Sequence, residues 1–145
     1  MDAKEYLSQV KLLTAKLKIT EAYIEVIRGE RLTLRSAWPD GQPHGTITGD
    51  PTSQKAIELL EKLREYEKKA MTLRSNIWSK RMQIIETVNK VRDAECMELL
   101  YYKYINLLTW EETAAQMHYS TSHVSGPLHN KALGLIEELI KDNKK

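Results

Sequence analysis

The chain has 145 residues, of which 41% are hydrophobic and 29% charged, with one cysteine and no phenylalanine. This length excludes two full-sized domains, and the single cysteine excludes an internal disulfide bond. The apolar runs are shorter than the roughly 20 residues that cross a bilayer, and the amino-terminal residues lack the apolar segment of a signal peptide. We therefore expect a mainly helical protein of the cytoplasm, with Cys96 as a small buried side chain.

The net charge is only +2, but it is distributed unevenly along the chain. Residues 54–92 carry ten basic and five acidic side chains, a net charge of +5, and residues 1–35 carry a net charge of +2. Residues 93–108 and 109–145 are slightly acidic, with net charges of −2 and −1. Proteins that bind nucleic acid usually concentrate positive charge where they contact phosphates, and here the charge concentrates in the middle of the chain.

Two long helices are predicted, over about residues 2–35 and 51–92, because each segment carries one apolar stripe in alternating steps of three and four. The first stripe consists of Ala3, Tyr6, Val10, Leu13, Leu17, Ile24, Ile27 and Leu34. The second stripe consists of Leu59, Leu63, Tyr66, Ala70, Leu73, Ile77, Ile84 and Val91. Residues 36–50 are rich in glycine and proline and predict a loop, after which Asp50 is the expected N-cap and Pro51 the first helical residue.

Two striped helices joined by a loop can bury their stripes against each other, as an antiparallel coiled-coil-like hairpin, or against a second copy of the chain. Both arrangements are compatible with the pattern. Because a two-helix hairpin has a thin core, we expect the off-stripe residues Met71, Trp78, Ile85 and Val88 to contact a further partner. This expectation favours a homodimer formed through the hairpin.

The last third of the chain predicts three short helices, over Ala94–Tyr104, over Thr109–Met117 and from Thr121 onward. Thr109 and Glu112 form a capping box, in which each side chain can satisfy the backbone N–H of the other residue. The spacing fits a helix-turn-helix in residues 93–145, with a turn at residues 118–120. Its structural positions are Thr109, Trp110, Glu112, Ala114, Met117, Tyr119 and Val124. The alternative is a pair of helices used only for packing.

Residues 94–136 resemble region four, the promoter-reading domain, of the sigma-70 family, notably at Leu108–Ala114 and Lys131–Leu133. The whole chain, including its opening Met1–Leu7, looks like a group of small phage and prophage proteins of Gram-positive bacteria. That group is related to the ArpU and RinA types of late-gene transcriptional regulator. The resemblance implies an all-α protein that binds double-stranded DNA in the cytoplasm of a bacterial host.

On this resemblance, the helix from Thr121 is the recognition helix. The residues that would contact DNA are Thr121, Ser122, His123, Ser125, Gly126 and Lys131. Serine and threonine hydroxyls can bind phosphates or base edges, and histidine can donate or accept a hydrogen bond. No arginine or lysine stands between Lys103 and Lys131, so the predicted helix is weakly charged.

Gly126 and Pro127 depart from the family pattern, because an apolar residue is expected where Pro127 stands and Leu128 follows one position late. Proline inside a helix removes a hydrogen bond and costs about 3 kcal/mol. Either the recognition helix ends at Gly126 and a new helix begins at Pro127, or a bulge absorbs the extra residue and the helix continues. In both cases we expect base reading to be confined to residues 121–125.

No pattern in the sequence predicts an enzyme, a cofactor or a metal site. Surface or turn positions are expected for the histidines, which are His44, His118, His123 and His129. Two functions compete with DNA-binding regulation. One is a protein-interaction module that contacts RNA polymerase, and the other is a phage packaging component similar to a small terminase subunit. A ring of eight or more copies would favour packaging.

Overall fold

The computed structural model describes residues 1–36 and 51–143, and every regular element in these ranges is a helix. The all-α fold class is therefore confirmed. The α-helices are α1 (Ala3–Leu7), α2 (Gln9–Ser36), α3 (Pro51–Asn89), α4 (Ala94–Leu100), α5 (Trp110–Met117), α6 (Thr121–His123) and α7 (His129–Asn143). Two π-helical segments follow α4 and α6 directly, at Tyr101–Ile105 and Val124–Leu128.

The two long helices lie close to their predicted bounds. The first prediction corresponds to α1 and α2, which are separated at Ser8, and α1 begins after an N-cap at Asp2. The second corresponds to α3, which ends at Asn89, three residues before the predicted end. Within the predicted loop, residues 37–50 lie outside the described residues, and so does the N-cap expected at Asp50.

The chain divides into two compact units, and the larger one contains Met1–Thr14 and Asn76–Lys145. Its core is formed by one continuous cluster of apolar side chains. Examples from the α1, α3, α4 and α7 segments are Leu7, Ile84, Leu99 and Ile136, none of which is exposed to solvent. Cys96 is fully buried in the same cluster, as the sequence predicts. The domain boundary expected from the sequence, between residues 92 and 93, stays a prediction.

The smaller unit contains Ala15–Ser75 and brings parts of α2 and α3 side by side in opposite directions. Its buried core is Ile24, Ile27, Leu63 and Ala70, which all belong to the predicted apolar stripes. Ion pairs join the two helices on the surface, from Arg74 to Glu21 at 3.0 Å and from Arg28 to Glu67 at 3.3 Å. These exposed pairs contribute little to stability, so the apolar stripe is the main cause of the pairing.

The four off-stripe residues behave in two ways. Val88 is buried and Ile85 packs against the core of the larger unit, so these two side chains have partners within the chain. Met71 and Trp78 remain 68% and 63% exposed. Among the helices of the described ranges, none has both the length and the apolar character needed to span a membrane.

Candidate nucleic-acid interface

Helix α5 begins at the predicted capping motif. The Thr109 hydroxyl accepts a hydrogen bond from the backbone N–H of Glu112 at 3.1 Å, which satisfies one of the free donors of the first turn. The backbone carbonyl of Thr109 accepts from the hydroxyl of Thr113 at 2.8 Å. Thr113 can therefore be fully buried at a position where the pattern expects an apolar residue, because its one polar side-chain atom has a partner.

Helices α5 and α6 pack on each other through the positions that the spacing predicts. Ala114, Met117 and Val124 are all buried in the core of the larger unit, and Trp110 packs against the same core while remaining partly exposed. The small side chain of Ala114 allows the close approach of the following segment. The structure thus brings most of the predicted structural positions together in one core.

The turn between α5 and α6 is made by His118, which has a left-handed backbone with φ of 62° and ψ of 36°. The next residue, Tyr119, donates its backbone N–H to the carbonyl of Ala114 at 3.1 Å, as in a Schellman motif. Tyr119, one of the predicted structural positions, is 40% exposed and lies outside the buried core. The Tyr119 hydroxyl donates instead to the carboxylate of Glu95, and this bond raises the pKa of Tyr119.

Helix α6 begins with a local cap and presents polar side chains to solvent. The Ser120 hydroxyl accepts from the backbone N–H of His123 at 3.2 Å, and this bond marks the first turn. Ser122 and His123 are exposed and Thr121 is half-buried. The His123 ring lies against the ring of Tyr119, with centroids 4.8 Å apart. These contacts orient the predicted base-reading residues while leaving their polar atoms accessible.

Pro127 lies inside a helix that does not end there. Residues Val124–Leu128 form a π-helical segment, and the helical backbone continues from α6 through this segment into α7. Each hydrogen bond of a π-segment spans one more residue than that of an α-helix, so the segment can hold an additional residue without ending the helix. Of the two alternatives considered for Gly126 and Pro127, the bulge is therefore confirmed. Leu128 still reaches the core, where it is buried.

The same segment places His129 in the interior, where sequence reasoning expects a surface or turn histidine. The position is buried, and the Nε2 atom of His129 lies 2.6 Å from the hydroxyl of Tyr104. The edge of the Trp110 ring meets the His129 ring with centroids 4.7 Å apart. The expectation fails because the extra residue in the π-segment turns His129 toward the core instead of toward solvent.

Lys131, another predicted DNA contact, forms an ion pair. Its Nζ atom lies 2.7 Å from a carboxylate oxygen of Asp93. The hydrogen bond to Lys131 is the main cause that lowers the pKa of Asp93, which also caps α4 through the backbone N–H groups of Glu95 and Cys96. Lys131 is therefore positioned to join α7 to the start of α4, although its side chain remains mostly exposed.

Three lysines, two from the amino-terminal segment and one from the π-segment after α4, line one cleft of about 400 Å³ within the larger unit. They are Lys4, Lys11 and Lys103, and we call this site the lysine cleft. The remaining lining residues are Ser8, Tyr104, Leu107, Leu108, Trp110, Ser125 and His129. Ser125 thus belongs both to the predicted base-reading segment and to the wall of the cleft.

One helical face of the amino-terminal segment supplies Lys4, Ser8 and Lys11, which are four and three residues apart. Ala3, Leu7 and Val10 repeat the same spacing one position earlier and are buried in the core. The backbone N–H of Ala3 also donates to the carboxylate of Glu137 on α7 at 2.6 Å. Burial of this apolar row, together with the bond to α7, holds the lysine row at the cleft.

The positive charges of the cleft act on one another. Burial and the charge of Lys11 both lower the pKa of Lys103, whose Nζ donates to the carbonyl of Leu108 at 3.2 Å. Burial, followed by the charges of Lys4 and Lys103, lowers the pKa of His129. Glu111 and Glu112 act on the pKa of Lys103 in the opposite direction. A partly buried group of cations has the charge that suits an anion.

Sequence reasoning missed Lys4, Ser8 and Lys11 as candidate binding residues. The net charge of residues 1–35 hides them, because the acidic side chains of the same segment offset the basic ones. A usable signal was the polar row beside the buried row at Ala3, Leu7 and Val10. The association of that row with residues 103 and 125 depends on the tertiary fold. No protein-family model matches the chain, and comparison with curated proteins and with solved structures likewise found no match.

Proposed function

We propose that this chain is a DNA-binding transcriptional regulator of the phage type, with no catalytic role. In this proposal α5 and α6 are the two helices of a sigma-region-four-like helix-turn-helix, and α2 and α3 form a helical hairpin. The Thr109 cap, the left-handed turn at His118 and the buried Ala114 support the helix-turn-helix, because they are features that such a steep pair of short helices requires.

The observation that carries the proposal is the position of Ser125. Its side chain belongs to the polar segment that starts at Thr121, and it also lines the lysine cleft. Hydroxyl and imidazole groups that can reach base edges therefore adjoin amines that can bind phosphates. DNA-binding proteins need both kinds of group, because phosphate contacts position the protein and base contacts specify the sequence.

We assign base reading and phosphate binding to different parts of the larger unit. Thr121, Ser122, His123 and Ser125 are the proposed base-reading residues, since their hydroxyls and imidazole can donate or accept hydrogen bonds. The lysine cleft is the proposed phosphate site and supplies the positive charge that the helix itself lacks. Gly126 adjoins Ser125 on a half-buried stretch of backbone where an added Cβ would meet nothing within 4 Å, so this position leaves room for close approach.

The experiment begins with recovery of DNA fragments that the purified full-length protein binds from its source genome. Binding of an enriched duplex is then measured by fluorescence anisotropy over a range of salt concentrations. We expect affinity to fall steeply with salt, with a slope of about 0.9 per phosphate contact. The double variant Lys4→Gln, Lys11→Gln should reduce that slope by about 2. The double variant His123→Ala, Ser125→Ala should reduce discrimination between the enriched duplex and an unrelated one.

Lys62→Gln is the matched control, because Lys62 is an exposed lysine of the smaller unit. It should leave the salt slope unchanged. An equal loss of slope in this variant and in the cleft variants would contradict the assignment of the phosphate site. If no fragment is enriched and the salt dependence is weak, the chain is not a DNA-binding regulator, and a protein-interaction role is then favoured.

A further inference from the structure

Helix α2 has a second apolar row that none of the described residues, 1–36 and 51–143, covers. Within the smaller unit the row consists of Ala15, Ile19, Ala22, Val26 and Gly29, in alternating steps of four and three. All five residues are exposed, and the two large members, Ile19 and Val26, are 57% and 62% exposed. The buried seam of the same helix uses different residues, so this row remains available for another contact.

The row alternates small and large side chains in a regular way. Alanine or glycine occupies every second position, at 15, 22 and 29, and a branched apolar side chain occupies the positions between them. In coiled-coil packing, a large side chain from one helix inserts between residues of the facing helix, and small side chains let the two backbones approach. Such a row fits a partner helix that places small side chains opposite its large ones and large side chains opposite its small ones.

We infer that a second copy of this chain docks antiparallel on this row. A two-fold axis between residues 20 and 21 places Ile19 opposite Ala22 of the second copy and Val26 opposite Ala15 of the second copy. Symmetry repeats both contacts, so four successive layers each pair one large side chain with one small side chain. Isologous contact of a surface with itself is the commonest way in which identical chains associate.

Charge complementarity supports the same partner and the same register. Lys18 and Glu25 lie on one side of the row, and both are exposed. In the antiparallel register, Lys18 faces Glu25 of the second copy, and the symmetry generates this pair twice. In a parallel register each side of the row faces the opposite side of the row on the second copy, so Lys18 would face Tyr23 of the second copy and neither charge pair would form.

The apolar surface also extends to the other side of the row. Ile19 lines an open groove of about 610 Å³ together with Leu73 and the side chains of Lys16 and Lys69. The antiparallel register brings Tyr23 of the second copy next to Lys16, at the edge of this groove. An aromatic ring there would cover apolar surface that is otherwise in contact with water.

The first test measures molecular mass against protein concentration by sedimentation equilibrium, using the full chain. We expect a reversible dimer that Ile19→Glu converts to a monomer, while circular dichroism shows unchanged helix content because Ile19 is exposed. Met71→Glu is the matched control, since Met71 is also a large apolar residue exposed to solvent, on α3. A protein that is monomeric at every concentration, or a dimer that only Met71→Glu disrupts, would overturn the proposal.

The second test reverses the charges. Lys18→Glu alone and Glu25→Lys alone should each raise the dimer dissociation constant about tenfold, because two attractive pairs become repulsive. The double variant should return close to the wild-type value, since it restores both pairs with their signs exchanged. Additive weakening in the double variant would exclude this register.

Cross-linking distinguishes the orientation of the two copies. A mixture of Ile19→Cys and Ala22→Cys chains should form mixed disulfides on mild oxidation, and the native Cys96 does not compete because it is buried. Disulfides that form faster between two Ala22→Cys chains than in the mixture would contradict the antiparallel arrangement.

Discussion

The hydroxyl of Tyr104 lies 2.6 Å from Nε2 of His129, and both side chains are buried in the larger unit. Tyr104 belongs to the first π-segment and His129 follows the second, so this bond joins the two irregular turns of the larger unit. Burial raises the pKa of Tyr104 to about 12, so its phenol remains protonated at neutral pH. A neutral phenol offers no negative charge to a protonated His129, whose pKa is lowered by burial and by the charges of Lys4 and Lys103.

Acidification should destabilise the protein through His129. Its pKa is lowered in the folded state by burial and by the charges of Lys4 and Lys103, relative to about 6.5 in the unfolded chain. The unfolded chain then binds more protons, so the stabilisation is fully present above the unfolded pKa and is lost as the pH falls through the lowered folded pKa. Urea titrations at pH 7 and pH 5 should show this fall. His129→Gln should flatten the dependence, whereas His123→Gln, at an exposed position, should not.

Removal of the Tyr104 hydroxyl should leave a buried ring nitrogen without its partner. We expect Tyr104→Phe to lower the free energy of unfolding by about 1–3 kcal/mol, the usual cost of an unsatisfied buried polar group. Chemical denaturation measures this change. The double variant Tyr104→Phe, His129→Leu should lose less stability than the sum of the two single variants. Strict additivity would show that the two groups do not interact in solution.

The stability effects of changing Lys131 and Asp93 should also be non-additive when the two single variants are compared with the double variant. Lys131→Met and Asp93→Asn should each lower thermal stability, because each breaks the contact between α7 and the start of α4. The double variant should be little worse than Asp93→Asn alone, since that change already removes the charge that pairs with Lys131. If Lys131→Met leaves the melting temperature unchanged but weakens DNA binding, Lys131 acts as a phosphate contact instead.

Relief of the left-handed backbone at His118 should stabilise the protein. Side chains other than glycine disfavour a φ of 62°, at a cost of about 1–2 kcal/mol, whereas glycine adopts this conformation readily. After the greater entropy loss of glycine on folding, His118→Gly should raise the free energy of unfolding by about 0.5–1 kcal/mol. His118→Val should lower it. Equal stability of the glycine and valine variants would mean that the turn conformation is not under strain.

Local sequence was sufficient to predict the two long helical segments and the start of α5. The apolar stripes mark α2 and α3, and the cap at Thr109 marks α5, because these signals depend on residues within one or two turns of each other. For the same reason, the polar residues Ser122 and His123 could be identified as exposed members of α6. Gly126 and Pro127 also predicted an irregular backbone, although two backbone solutions remained open.

Only the tertiary structure decided between the two backbone solutions at Gly126 and Pro127. The helix stays continuous through the π-segment, and both Leu128 at its end and His129 directly after it are buried in the core. The lysine cleft is likewise invisible in the sequence, since Lys4 and Lys103 are about a hundred residues apart and only the packing of α1 against α7 brings them together. Helix signals act over a few residues, whereas burial and charge depend on whichever distant segments share a core.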